Sequence, residues 1–317
     1  MTSSFSVRTL LLKGGMLIFL CLLLLFPAPA LSGAKNGLLL WFNQVLPSLL
    51  PFLILSTLFL STGLSDSLAR RLSPLLSPVF RCSPPGCYAI VIGLLAGLPV
   101  GAKTIASLVE QGQLTKKEGT YLLPLCNNAS PLFLLGYISV SVLNTPSLRY
   151  PLFFIVIFSS MLAAVLLRPR HTISSASREK NKLPEELPSK GFTFSFLLLD
   201  AAIEQAFSVL TRVGGYIILF SVLAELLTRM PLPSLLCACI GSLLEITTGC
   251  TALAALPLKK TVLFPLVTAF VTFGGLSAAA QTKSVLAESR LPFAHYLLTK
   301  AAAALISAAL MFLYLWL

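Results

Sequence analysis

The chain has 317 residues, of which 56% are hydrophobic and 11% charged, and its 23 Lys and Arg against 11 Asp and Glu give a net charge of +12. Charged residues stand at about half their usual share and mean hydropathy is +0.90, so the chain cannot cover a soluble surface. A soluble enzyme, a disulfide-knit secreted scaffold and a disordered chain are excluded, which leaves an all-α polytopic membrane protein.

The first apolar run, 16–30, follows Arg8 and Lys13. It reads as a retained first helix or as a signal peptide with Ala28-Pro29-Ala30 as its A-x-A site. Pro29 inside that site and the return of apolar sequence at Gly37 favour the helix. Run 38–61 exceeds the ~20 residues a span needs. Its Pro47 and Pro51 predict a kink whose freed carbonyls find partners within the protein. Residues 63–81 place Leu64, Leu68, Leu72, Leu75 and Leu76 at helical spacing, with Asp66, Arg70 and Arg71 on other faces. That pattern is an interfacial amphipathic helix, expected to be broken by Pro74 and Pro78.

Run 87–109 is interrupted at Gly97-Leu98-Pro99-Val100-Gly101, with Lys103 just after. A charge inside a membrane run costs ~2.5–3.5 kcal/mol or more, and the interruption predicts a re-entrant hairpin. A hydrophilic loop at 110–119 precedes run 120–142, which carries Pro124, Asn127, Asn128, Ser130 and Pro131 at its middle. Run 150–167 is an uncharged span. Residues 168–191, with six Lys/Arg and three Glu, read as a cytoplasmic linker.

Segment 192–212 is again amphipathic, with Asp200, Glu204, Ser208 and Arg212 on one stripe. In the 213–228 span, Gly214 and Gly215 allow close helix approach. Run 232–256 is broken around Glu245-Ile246-Thr247-Thr248-Gly249, and run 261–286 at Gly274-Gly275. The last span, 292–317, ends in the interface anchors Tyr314 and Trp316.

Two halves repeat this order. Gly93 and Gly101 fall on Gly241 and Gly249 at an offset of 148, and the same offset lays Cys126-Asn127 on Gly274-Gly275. The expected organisation is an N-terminal helix (1–37), a first repeat (38–167), the linker (168–191) and a second repeat (192–317). Basic residues fall between apolar runs in ones to threes, as orientation in a membrane requires. Their placement sets the repeats in opposite directions, an inverted plan, with Arg229, Lys259 and Lys260 against the rule. The basic excess therefore points to anionic lipid, not to nucleic acid.

Four constellations carry the chemistry. Gly97, Pro99, Gly101 and Lys103 form an unwound turn where helix ends and a lysine meet a solute, or a hairpin tip with Lys103 snorkelling to the interface. Asn127, Asn128 and Ser130 offer donors and acceptors for a solute, or hydrogen bonds between helices. Glu245, Thr247, Thr248 and Gly249 form an ion or proton site, or Glu245 pairs with Lys103 or Lys283. Gly274, Gly275, Ser277 and Gln281 form a second break, or a packing contact. The repeat predicts that 97–103 and 245–249 face one another near the membrane midplane. Seven cysteines without histidine or carboxylate at ligand spacing read as packing residues, so neither metal nor cofactor is expected. No phosphate loop, zinc helix or nucleophile elbow is present in the sequence, and no catalytic residue is assigned.

Leu46-Pro47-Ser48-Leu49-Leu50-Pro51-Phe52, Gly97-x-Pro99-x-Gly101-Ala102-Lys103, Asn127-Asn128-x-Ser130-Pro131, Gly214-Gly215-Tyr216-Ile217 and Glu245-x-Thr247-Thr248-Gly249 together resemble the sporulation integral membrane protein family of the YlbJ type. That family carries nucleoside-recognition (Gate) domains. The resemblance covers roughly residues 36 to 290, and Leu98 stands where it leads one to expect an aromatic. It implies an inner-membrane protein of spore formation. The expected partners are the lipid bilayer, a nucleoside or ion as solute, and further copies of the chain in a homo-oligomer. Two readings follow: a solute transporter or gated pore, and a non-transporting membrane component acting through protein partners.

Overall fold

The computed structural model describes residues 7–61, 64–168, 195–286, 289 and 291–317; all but Arg168 of the expected linker lies outside them. The described residues form fourteen α-helices. Four stretches are long and apolar enough to cross a membrane: Pro146–Leu166, Phe196–Leu227, Lys260–Val285 and Phe293–Tyr314. Two bent pairs also qualify, Lys13–Leu25 with Pro27–Val45 (102°) and Arg71–Phe80 with Pro84–Ala96 (98°). The chain is thus an all-helical membrane protein with four to six candidate spans.

α1 (Val7–Leu25) turns sharply into α2 (Pro27–Leu40). Pro27 has no N–H to bond back across the bend, but it fits the first position of a helix. Helical backbone then runs on through wide π-type turns at Trp41–Val45 into α3 (Leu46–Ser61). α2 runs through the gap that the apolar runs leave at 30–37, because the small and polar residues there do not interrupt helical backbone.

α4 (Leu64–Phe80) is one amphipathic helix. Pro74 and Pro78 do not break it: each removes a single backbone bond, and both rings sit on an exposed face. α5 (Pro84–Ala96) and α6 (Val100–Glu110) form the expected hairpin, separated by Gly97 to Pro99. Ser83 caps α5, and its N–H donates to the buried Glu118 Oε1 at 2.6 Å. Cys82 and Cys87 are buried beside this cap, their sulfurs 3.4 Å apart.

α7 (Lys116–Cys126) begins inside the expected loop, since Thr115 caps it through Glu118 N–H. After the unwound residues 127–130, helix resumes and widens into π-type turns at Phe133–Val142. α8 is Arg149–Leu166.

α9 (Phe196–Leu227) is a single 32-residue helix. The change from striped to apolar sequence near 212 is not a helix boundary, because no residue there interrupts the backbone bonds. Trp41 Nε1 donates to Leu210 O at 3.0 Å, and Gly214 leaves room for the indole; Gly215 has nothing within 4 Å. α10 (Ser234–Leu244) and α11 (Ile246–Ala254) make the second hairpin. α12 (Lys260–Phe273) and α13 (Gly275–Val285) flank the second break, where Gly274 (φ +92°) and Gly275 (φ +75°) take left-handed backbone that side chains resist. α14 (Phe293–Tyr314) packs between α8 and α12.

Both hairpins close on the glycines read from the repeat. A Cβ on Gly101 would stand 3.2 Å from Gly93 Cα, and one on Gly241 would stand 3.8 Å from Gly249 Cα. One buried core surrounds the first hairpin, α7 and the start of α14. A second surrounds the later hairpin, Phe133–Val142 and α12.

Candidate functional site

The two breaks and the two hairpin tips converge. The tip residue Leu98 donates its N–H to Asn128 O at 2.8 Å, tying the first hairpin to the first break. Gly97 (φ +68°) makes this possible: a Cβ there would stand 2.8 Å from Asn128 O and from Ser130. In the second half, a Cβ on Gly275 would stand 3.2 Å from Ile246 Cγ2, so the second tip rests on the second break. Tyr137 crosses between the halves, its hydroxyl donating to Thr247 O at 3.4 Å and meeting Thr251 Oγ1 at 3.2 Å.

Between the halves lies a cavity of about 70 Å³. Its polar lining comes from both breaks and the second tip: Ser130, Glu245, Thr247, Ser277 and Gln281. Leu98, Phe133, Val213 and Ile217 form its apolar wall. Water needs roughly 10–15 Å³ of such space per molecule, so this conformation holds a few waters or one ion.

Glu245 is the N-cap of α11 and is 3% exposed. One carboxylate oxygen accepts from Thr247 Oγ1 at 2.7 Å; the other accepts from Thr248 N–H at 2.8 Å and Thr248 Oγ1 at 3.1 Å. The helix N-terminus and three donors stabilise the anion there. A carboxylate offers about four acceptor sites, so capacity remains for a hydroxyl, an amine or a cation in the cavity.

Of the sequence candidates, Ser130, Glu245, Thr247, Gly274, Ser277 and Gln281 line this cavity. Gly97 and Gly275 shape its walls by close contact with Ser130 and Ile246, Gly101 and Gly249 pack within the hairpins and not on the cavity, Pro99 ends the first tip through a cis peptide bond, and Thr248 caps. Asn127 and Asn128 are fully buried but do not line the cavity. They bond instead to Thr282, Tyr296 and Lys300.

Lys103 does not meet Glu245. It is exposed on α6, and Glu245 accepts its hydrogen bonds from threonines of its own helix. The expected ion pair is therefore replaced by a cap. Lys103→Ala should change stability by less than about 0.5 kcal/mol, and a thermal-unfolding cycle with Glu245→Ala should be additive within that margin. A coupling of 1 kcal/mol or more (an estimate at the level of a direct contact) would contradict this placement.

Sequence reasoning missed Lys300, which is 2% exposed inside the last apolar helix. The signal was present, since a lysine in a membrane run is costly wherever it falls.

No family model matches the chain, and no solved structure matches it. It is similar to the sporulation integral membrane protein YlbJ of Bacillus subtilis (strain 168), with 26% identity over an alignment that covers 93% of this chain and 79% of the relative. The chain is a distant homologue of that protein.

Proposed function

We propose that the chain is a solute transporter or gated pore of the nucleoside-recognition type, acting in spore formation at the cell membrane. Its two halves form inverted repeats joined by the cytoplasmic segment 168–191, and its solute passes through the cavity between the breaks. The observation that carries this reading is the cavity's lining, which draws Leu98 and Ser130 from one half and Glu245, Thr247, Ser277 and Gln281 from the other. Unwound backbone at membrane depth is tolerated where it is buried or lines a cavity, and transporters place their sites at such breaks between repeats. The side chains bind by hydrogen bonds around one carboxylate, with an apolar wall for a ring. That chemistry suits a nucleoside or a small cation.

The volume separates the two solutes. Pockets for drug-sized ligands run to ~300–1,000 Å³, so a nucleoside requires the hairpin tips to part, whereas a bare cation does not. The same small volume favours a second reading, a membrane component that works through protein partners and carries nothing.

Uptake of radiolabelled nucleosides and of metal cations into proteoliposomes tests both. Saturable uptake of one class, competed by its unlabelled members, is expected. Monodisperse, reconstituted protein that accumulates neither class would leave the second reading.

A further inference from the structure

Behind the first break lies a second polar cluster, outside the cavity. Lys300 reaches it from α14, a candidate span, and donates from Nζ to Asn128 Oδ1 at 2.8 Å. No carboxylate among the described residues lies within ion-pair distance of Lys300. A membrane lysine costs ~2.5–3.5 kcal/mol or more, so neutral groups must compensate it.

They are in place. Asn128 Nδ2 donates to Leu125 O at 2.8 Å, which turns the amide so that its oxygen faces the ammonium. α7 ends at Cys126, so the negative end of its dipole lies beside Asn127 and Asn128. Asn127 Nδ2 donates to Thr282 Oγ1 at 2.7 Å and to Tyr296 OH at 3.0 Å, while its Oδ1 is buried without a hydrogen-bond donor. Tyr296 and Lys300 are one turn apart on α14. The cluster thus sets one ammonium against the Asn128 amide oxygen, with the linked amide and hydroxyl oxygens of Asn127, Thr282 and Tyr296 beside it, and with no acid among its described members. Neutral oxygens of this kind replace the hydration shell of alkali cations in membrane proteins.

We infer that the Asn127–Asn128–Thr282–Tyr296 cluster is a monovalent-cation site whose cation is supplied by the chain itself, as the Lys300 ammonium. The tethered charge also fixes the first hairpin, because Asn128 holds Lys300 by its side chain and Leu98 by its backbone carbonyl. The protein then needs no free sodium at this place. Lys300→Ala would leave the oxygens and open room among them, so that a sodium ion takes the position of the ammonium.

The test is thermal unfolding of the purified full-length protein in sodium chloride and in choline chloride at equal ionic strength. Wild type is expected to unfold at the same temperature in both. Lys300→Ala is expected to unfold earlier in choline and to regain roughly 5 °C in saturating sodium. Adding Asn127→Leu to Lys300→Ala should abolish that gain. Lys300→Ser serves as a second variant if the alanine protein does not fold. Equal unfolding of Lys300→Ala in the two salts would overturn the inference. So would a sodium effect on wild type, a gain that survives Asn127→Leu, or failure of both variants to fold in either salt. No solute enters this assay, so its failure leaves the cavity reading standing, and absence of uptake leaves the cation site standing.

Discussion

Glu245→Gln is expected to reduce solute uptake by roughly tenfold or more, the consequence of losing one charge-assisted contact of about 1.5–3 kcal/mol, while the protein remains folded. The amide keeps an oxygen for Thr248 N–H, so α11 stays capped. What disappears is one carboxyl oxygen facing the cavity, replaced by an amide group that donates where the oxygen accepts. Glu245→Ala removes the cap as well and should add about 1–2 kcal/mol of destabilisation. Uptake into proteoliposomes and thermal unfolding, measured on the same preparations, separate the two effects. If Glu245→Gln retains both full uptake and full support of spore formation, Glu245 has no part in the mechanism.

Gly249→Ala and Gly101→Ala should be the most damaging small substitutions in the protein. The new methyl at Gly249 would overlap Ser242 N and Cα, and that at Gly101 would overlap Cys126 O. These are backbone atoms, which cannot rotate away as a side-chain tip can. Alanine's better helix propensity gains at most ~1 kcal/mol, whereas overpacking costs ~1–3 kcal/mol and more where nothing can relax. Sterics wins, and the hairpins open. Gly215→Ala is the control: with nothing within 4 Å, it should be neutral or stabilising by up to ~1 kcal/mol. Yield of monodisperse protein and its unfolding temperature read the difference. Equal stability of Gly249→Ala and Gly215→Ala would mean that α10 and α11 do not pack as described.

The breaks were legible because glycine, proline and asparagine are conspicuous inside apolar sequence. The glycines that repeat at an offset of 148 coincide with the close contacts inside both hairpins. Apolar runs mark lipid exposure, however, and not helix length, so α2 and α9 extend through polar residues that composition assigns elsewhere. Periodicity also cannot say which way a side chain at a break points. Thus Ser130 and Asn128, two residues apart, serve different places, one lining the cavity and the other holding Lys300. The cap at Glu245 was hidden for a related reason. Lysine is the familiar partner for a buried acid, while here a helix N-terminus and two threonines suffice.

The length of α9 bears on how deep the cavity lies. Thirty-two residues reach about 48 Å, against a hydrocarbon layer of about 30 Å. The excess sits at the N-terminal end, where Asp200, Glu204, Ser208 and Arg212 are exposed and belong in water or headgroups, Arg212 by snorkelling. Val213 and Ile217, both on the cavity wall, follow within about 8 Å of Arg212 along the axis. Leu227 lies about 15 Å further on. Along α9 the cavity wall therefore begins where the charged stripe ends, nearer that stripe than Leu227.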